Sequence, residues 1–366
     1  MEFDYVIIGG GSAGCVMASR LSEDPTISVC LLELGGDGKD LAVRVPAGVI
    51  MMMRDKPVKI NNWAFNTVPQ THLNNRIGYQ PRGQCLGGSS AINAMVYTRG
   101  SAKDYNRWAD NGCEGWGFDD MLPFFKKAEN NIRGGEEHHG DSGPLHVSEL
   151  LSPRPISKAF VDACVANGLD ANDDFNGTKQ DGAGLYQVTH FHGDKQGQRC
   201  SAAAAYLHPI EERPNLTIIT GAMVSKVIIE DKRATGVAYV KHGEEYTVSA
   251  LEEVLLCAGA FGSPKTLMLS GIGPKEHLEQ HGIEVIQESP DVGGNLQDHL
   301  DVVFDYKVNT KDIIGIGLST VAQMTSALGQ WRKDGTGILS TNYAEGGAFY
   351  SATDKTPKDW PDTQLH

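Results

Sequence analysis

The apolar run Tyr5-Val-Ile-Ile8 passes directly into Gly9-Gly-Gly-Ser-Ala-Gly14 and then into a stretch of small and apolar side chains. That order commits the start of the chain to a buried parallel strand, a tight turn and a helix packed on a sheet. Gly9 permits the turn, Gly11 removes the Cβ that would hold a pyrophosphate away from the backbone, and Gly14 lets the helix lie close on the strand. Phosphates placed there face the positive end of a helix. Residues 12–23 suit packing on a sheet, and Asp24-Pro25 predicts the helix stop before a second strand over Ile27–Glu33. Glu33 closes that strand, where its carboxylate can accept hydrogen bonds from both hydroxyls of a ribose and would repel a 2′-phosphate. Strand, glycines, helix, strand and acid in this order predict a dinucleotide site, without separating FAD from NAD.

With 366 residues, 40% hydrophobic and 21% charged, the chain can bury a large core and should form about two domains. Its 46 acidic against 32 basic residues, a net charge of −14, argue against a nucleic-acid surface. Seven scattered cysteines without a CxxC pair read as reduced, mostly buried thiols, and Glu2 and Asp4 stand where a signal peptide would be basic. No apolar run reaches the length of a membrane span, about 18 residues or more. These features predict a cytoplasmic protein with no transmembrane segment, and leave open peripheral attachment to the inner membrane.

A second cluster of glycine and small polar residues, Arg82-Gly-Gln-Cys-Leu-Gly-Gly-Ser-Ser-Ala-Ile-Asn-Ala-Met-Val-Tyr97, has almost the glycine spacing of a P-loop. Ser89 and Ser90 replace the required Lys, which argues against an ATP site. Helices are predicted over 102–110, 119–129 and 156–167, the last with Ile156, Phe160 and Cys164 as its apolar face. The His138-His139 loop is expected to be solvated rather than a metal site, because adjacent histidines point apart. His190 and His192 alternate as on a strand, predicting a surface or pocket-lining role rather than zinc. No GxSxG elbow announces a hydrolase.

From Asn215 the pattern turns to short strands, 216–220, 224–229, 236–240, 246–248 and 254–257, separated by charged turns, as in a β-meander. The meander feeds a buried strand ending in Cys257-Ala-Gly259. A helix follows at Ser263-Pro264, and then the glycine-bearing loop Asp291–His299. Glycine-rich turns spread this far along a chain suggest a long cofactor touched by several segments, which favours FAD over NAD.

Two of these segments, Arg82–Val96 and Gly259-Ala-Phe-Gly-Ser-Pro-Lys-Thr-Leu-Met-Leu-Ser-Gly-Ile-Gly273, together with the opening turn, resemble the glucose-methanol-choline oxidoreductases. The similarity is to their choline-dehydrogenase-like and FAD-dependent alcohol dehydrogenase branch, and it runs over essentially the whole chain. It implies an α/β fold: an FAD-binding Rossmann-type domain with a β-meander, residues 1–155 and 208–300, and an incomplete α+β substrate domain with an antiparallel sheet, residues 156–207 and 301–366. It places Ser12 and Ala13 at the pyrophosphate beside Gly9, Gly11 and Gly14. Glu33 falls at the adenosine ribose, and the Val224 backbone at adenine. Cys85 and Gly88 fall in the flavin-lining block, Cys85 near the phosphate and ribityl part, with Asn93, Ala94, Met95 and Val96 beside the isoalloxazine. Where some members link FAD through a histidine, this chain has Ile92, so FAD is expected to be noncovalent.

The implied chemistry is oxidation of a small-molecule primary alcohol, choline-like or aliphatic, to the aldehyde by hydride transfer to flavin N5. The electron acceptor, whether quinone, dye-like compound or oxygen, is left open by the sequence. The family's catalytic histidine sits in a C-terminal His-Pro-x-Gly-Thr-like segment that this sequence lacks, and neither His299 nor His366 replaces it. The chain therefore reads as a C-terminally truncated member, inactive by itself, with no catalytic residue assigned. The alternatives are a non-redox member that cleaves cyanohydrins and a non-catalytic FAD-binding fragment.

Overall fold

A strand as apolar as Tyr5–Ile8 needs a hydrogen-bonded neighbour on each side, because no water reaches its backbone. In a computed structural model it has both. The structure describes residues 1–366 apart from Asp55, Pro57, Val58, Asp305, 308–317, 354–356 and Lys358. Two compact units are present: Met1–Asp40, Met52–Ile92 and Ser201–Lys307 in the first, and Leu41–Met51, Asn93–Cys200 and Val308–His366 in the second.

The first unit is built on β1 (Glu2–Ile8), α1 (Ser12–Leu21), β2 (Val29–Leu32), β3 (Leu216–Ile219), β4 (Met223–Glu230), β5 (Arg233–Lys241), β6 (Glu244–Leu256) and α2 (Gly259–Leu269). Its six-stranded sheet has the order β3-β2-β1-β6-β5-β4, parallel from β3 through β6 and antiparallel from β6 to β4. Val6, Ile8, Cys30, Leu32, Val237 and Val248 bury one face as a continuous core. Each fully buried aliphatic side chain there contributes roughly 1.5–3 kcal/mol.

Three details differ from the sequence reading. Helix α1 ends at Leu21, and Asp24 instead holds the next turn, accepting the Thr26 N–H at 2.9 Å. The segments 246–248 and 254–257 are one 13-residue strand, β6. Its first half pairs antiparallel with β5 and its second half parallel with β1, and the charged Glu252 sits at an irregularity opposite Phe3–Tyr5 rather than in a turn. No glycine or proline lies there to break the strand. Strand β3 does not belong to the meander either: it lies at the opposite edge, beside β2. The Asn215 amide explains this, donating to the carbonyls of Ser22, Asp24 and Ile27 and so tying the start of β3 to the α1–β2 connection.

The second unit carries a three-stranded antiparallel sheet, Thr363–Leu365, Gly346–Tyr350 and Gly182–Leu185, in that order. Phe175, Tyr186 and Phe349 pack together as a core cluster. The helices Ala102–Asp110 and Phe118–Ala128 agree with the predicted ones. Helix Pro155–Ala166 is present but rotated. Ile156 is 47% and Phe160 38% exposed, while Ser157 and Val161 face Gly346. The buried carboxylate of Glu345 accounts for the rotation, because it accepts hydrogen bonds from the Arg154 N–H (2.7 Å), the Ser157 hydroxyl (2.8 Å) and the Thr341 hydroxyl (2.7 Å). A buried charge without partners costs more than two exposed apolar side chains.

Candidate functional site

The turn between β1 and α1 separates glycines that the protein needs from one that it does not. Gly9 has φ +96°, and a Cβ there would lie 2.7 Å from the Cys257 carbonyl oxygen at the end of β6. A Cβ on Gly14 would lie 1.9 Å from the Gly9 oxygen, so the helix sits against the strand end only because Gly14 has none. A Cβ on Gly11 would meet nothing closer than 3.9 Å. Space beside Gly11 is therefore left unfilled by protein. The first helical bond runs from Cys15 N–H to the Gly11 oxygen, so the N–H groups of Ser12, Ala13 and Gly14 lie outside the helical ladder. No side chain caps them, and Ser12 and Ala13 are exposed. A helix end of this kind attracts an anion.

Segment 82–92 packs on this turn through its backbone. Gly87 N–H donates to the Gly10 oxygen at 2.7 Å, and Gly88, at φ +52°, lies so close that a Cβ would be 2.7 Å from Gly11 Cα. Cys85 is fully buried and bridges to Gly36 in the loop after β2, while Cβ atoms on Gly35 and Gly38 would strike the Gln84 and Leu86 oxygens at 2.0 and 2.4 Å. Ile92 is also buried. Val224 lies on β4 opposite Tyr239, half-buried against the sheet core.

Glu33 is 8% exposed, and both of its oxygens are engaged. Oε2 accepts the Gly10 N–H at 2.9 Å and Oε1 the Gly35 N–H at 2.8 Å. Burial pushes its pKa up, and the two backbone donors pull against that rise. The carboxylate thus staples two glycine turns, and each oxygen keeps a second lone pair for a ribose hydroxyl.

In the second unit, Asn93 is exposed and Met95 is buried with φ +60°, a left-handed conformation unusual for a side chain of this size. Val96 bridges to Val188, and the Ala94 oxygen accepts from Asn342 at 2.7 Å. Arg199 donates to both oxygens of Asn93. The sequence reading missed Gly10, Arg199 and Asn342. A run of three glycines was a signal for the first, whereas nothing local marks the other two.

The histidines depart from expectation. His139 is not in a solvated loop: its ring lies between Glu129 (Oε1, 3.0 Å) and Asp174 (Oδ2, 2.9 Å), and Glu129 also binds Arg99 at 2.8 Å. Hydrogen bonds to Asp174 and Glu129 raise the His139 pKa to about 9, so it is an imidazolium at neutral pH. Burial pushes Glu129 upward, but its hydrogen bonds with His139, Asn131 and Gly140 and the Arg99 charge outweigh that and hold it low. His190 and His192 do not share a strand. His190 is fully buried and bridges to Arg199, its pKa lowered to about 3 by burial and then by that cation, while His192 reaches the Asn130 oxygen at 3.1 Å. Among the described residues, no group of three or more His, Cys, Asp or Glu side chains is placed to hold a metal ion.

A family model described as GMC oxidoreductase matches residues 3–301. The chain is 43% identical over 367 residues to an alcohol dehydrogenase (acceptor) of Pseudomonas putida and 42% identical over 366 residues to an oxygen-dependent choline dehydrogenase of Rhizobium etli. Each match takes in 100% of this chain, which spans 65% of the length of the relative. Among solved structures it is similar to a formate oxidase of Aspergillus oryzae studied for modification of its FAD, with 27% identity and a TM-score of 0.80 over 95% of this chain and 61% of that one. No helix among the described residues is long and apolar enough to cross a membrane.

Proposed function

Because the chain belongs to the GMC oxidoreductase family, we propose that it holds FAD and that the protein it represents oxidises a primary alcohol, choline-like or aliphatic, to the aldehyde. The observation that carries the proposal is the unfilled space at Gly11, beside an uncapped and exposed helix end, in a turn whose other glycines are enforced by protein contacts. Bound FAD supplies the acceptor for the hydride that leaves the alcohol carbon. The chain's own residues bind and orient. The backbone at Gly9, Gly11, Ser12, Ala13 and Gly14 offers N–H groups to a pyrophosphate, Glu33 accepts from the adenosine ribose, and the Val224 backbone meets adenine. Cys85 and Gly88 shape the phosphate and ribityl end, and Asn93–Val96 lie along the ring. In functional terms residues 1–155 and 208–300 form the FAD domain, and 156–207 and 301–366 belong to the substrate domain.

The alcohol substrate is supported by the names of the two curated relatives. None of residues 1–366 is assigned as the catalytic base. FAD is held without a covalent bond, since the hydrocarbon side chain of Ile92 has no atom to form one. Two measurements test the proposal. Titrating the chain into FAD should quench flavin fluorescence, and acid precipitation should then leave the flavin in the supernatant. Absence of quenching refutes FAD binding, and flavin retained in the pellet refutes the noncovalent link. For the reaction, a preparation of full family length should bleach its visible flavin band with choline or a primary aliphatic alcohol under anaerobic conditions. An unbleached band with every alcohol tried refutes alcohol oxidation.

A further inference from the structure

We infer that Arg199 is a positioning residue that fixes which face of the Asn93 amide is presented outward, an inference that rests on the reading of Asn93–Val96 as a flavin-lining turn. The turn is strained. A left-handed backbone at a residue such as Met95 persists only where the surroundings over-determine it. Here the restraints come from three separate segments. Thr189 N–H donates to the Met95 oxygen at 2.9 Å, Asn342 Nδ2 to the Ala94 oxygen at 2.7 Å, and the terminal nitrogen Nη1 of Arg199 to the Asn93 backbone oxygen at 2.7 Å and to its Oδ1 at 2.9 Å. Met95 N–H donates to the same Oδ1 at 3.1 Å.

Arg199 is 2% exposed and is itself anchored, its Nε donating to the Val43 oxygen at 3.0 Å and its N–H to the Arg44 oxygen at 2.9 Å. A guanidinium only donates, so the Asn93 atom that faces it must be the oxygen. The amide NH2 of exposed Asn93 is then the group left to face outward. Arg199, together with the Met95 N–H on the same Oδ1, makes Asn93 a hydrogen-bond donor toward a bound acceptor oxygen or nitrogen. Lysine keeps the charge but lacks the rigid fork that reaches Asn93 and Val43 together.

The test compares wild type, Arg199→Met, Arg199→Lys and Asn93→Asp by FAD dissociation constant and flavin midpoint potential. Asn93→Asp keeps a partner for Arg199 and replaces the outward donor with an acceptor. Positioning predicts that Arg199→Met weakens FAD binding about tenfold or more and moves the potential, that Arg199→Lys recovers part of both, and that Asn93→Asp weakens binding at unchanged melting temperature. A folded Arg199→Met protein with wild-type FAD affinity and potential overturns the inference. If Arg199→Met does not fold, wild-type affinity and potential in Asn93→Asp overturn it instead. Failure of the wild type to bind FAD refutes the underlying reading, and the inference with it.

Discussion

Replacing Gly11 and Gly14 separately with alanine should give opposite outcomes, although the two positions are neighbours in one motif. At Gly14 the new methyl would sit 1.9 Å from the Gly9 oxygen, a backbone atom held by the turn itself. Helix α1 must then move off β1, and overpacking of this kind costs about 1–3 kcal/mol or more. At Gly11 the methyl meets no atom nearer than 3.9 Å, and the backbone at φ −74°, ψ −164° is extended and open to alanine. Alanine lowers the entropy of the unfolded chain, worth about 0.4–1 kcal/mol, and is poorer than glycine as an N-cap by about 0.5–1 kcal/mol. Those effects nearly cancel. Urea denaturation without cofactor should therefore place Gly11→Ala within about 0.5 kcal/mol of wild type and Gly14→Ala well below it. Fluorescence titration with FAD should show the reverse ranking of specific effects, Gly11→Ala losing affinity while remaining folded. A Gly11→Ala protein that binds FAD like wild type, or that is as unstable as Gly14→Ala, would refute the assignment of that space to the pyrophosphate.

Glu33→Gln turns one of two buried acceptors into a donor facing a backbone N–H, which costs about 1–3 kcal/mol and should lower FAD affinity as well; wild-type stability by urea denaturation would show that the staple is dispensable. His139 has its folded pKa raised to about 9 from 6.5. The stability it contributes, on the order of 3 kcal/mol, is fully present below the unfolded value and is lost as pH rises through about 9. Wild type should lose this increment between pH 6 and 10 relative to His139→Gln, and parallel pH curves for the two proteins would contradict the imidazolium bridge. Glu129→Gln should cost about 3–5 kcal/mol, since Arg99 and His139 lose their shared buried anion; a change below 1 kcal/mol in the denaturation midpoint analysis would contradict it.

The glycine turn was legible because its constraints are local: period, turn chemistry and the placement of an acid are all set within a few dozen residues. Strands β4 and β5 were legible for the same reason. The fate of β3 was not, because its edge is chosen by Asn215 reaching carbonyls almost 200 positions earlier in the chain, and no spacing rule encodes that. The rotation of helix Pro155–Ala166 escaped because the apolar period shows which side chains prefer burial, whereas the face was set by Glu345 and its need for donors. His139 looked like part of a polar loop since neither Glu129 nor Asp174 is adjacent in sequence. Arg199 and Asn342 converge on Asn93 and Ala94 from distant segments, so their roles become visible only in three dimensions.

The dual pairing of β6 also sets a clock. Strand β1 precedes the other strands of its sheet in the chain, yet its second neighbour, residues 249–256, comes last among them. At about 5–20 residues per second, the interval between making Ile8 and making Leu256 is on the order of tens of seconds. Throughout it Val6, Ile7 and Ile8 present an open apolar edge, the kind that pairs with other chains. Slowing translation lengthens that exposure for each nascent chain and should raise the share lost to aggregation before β6 arrives.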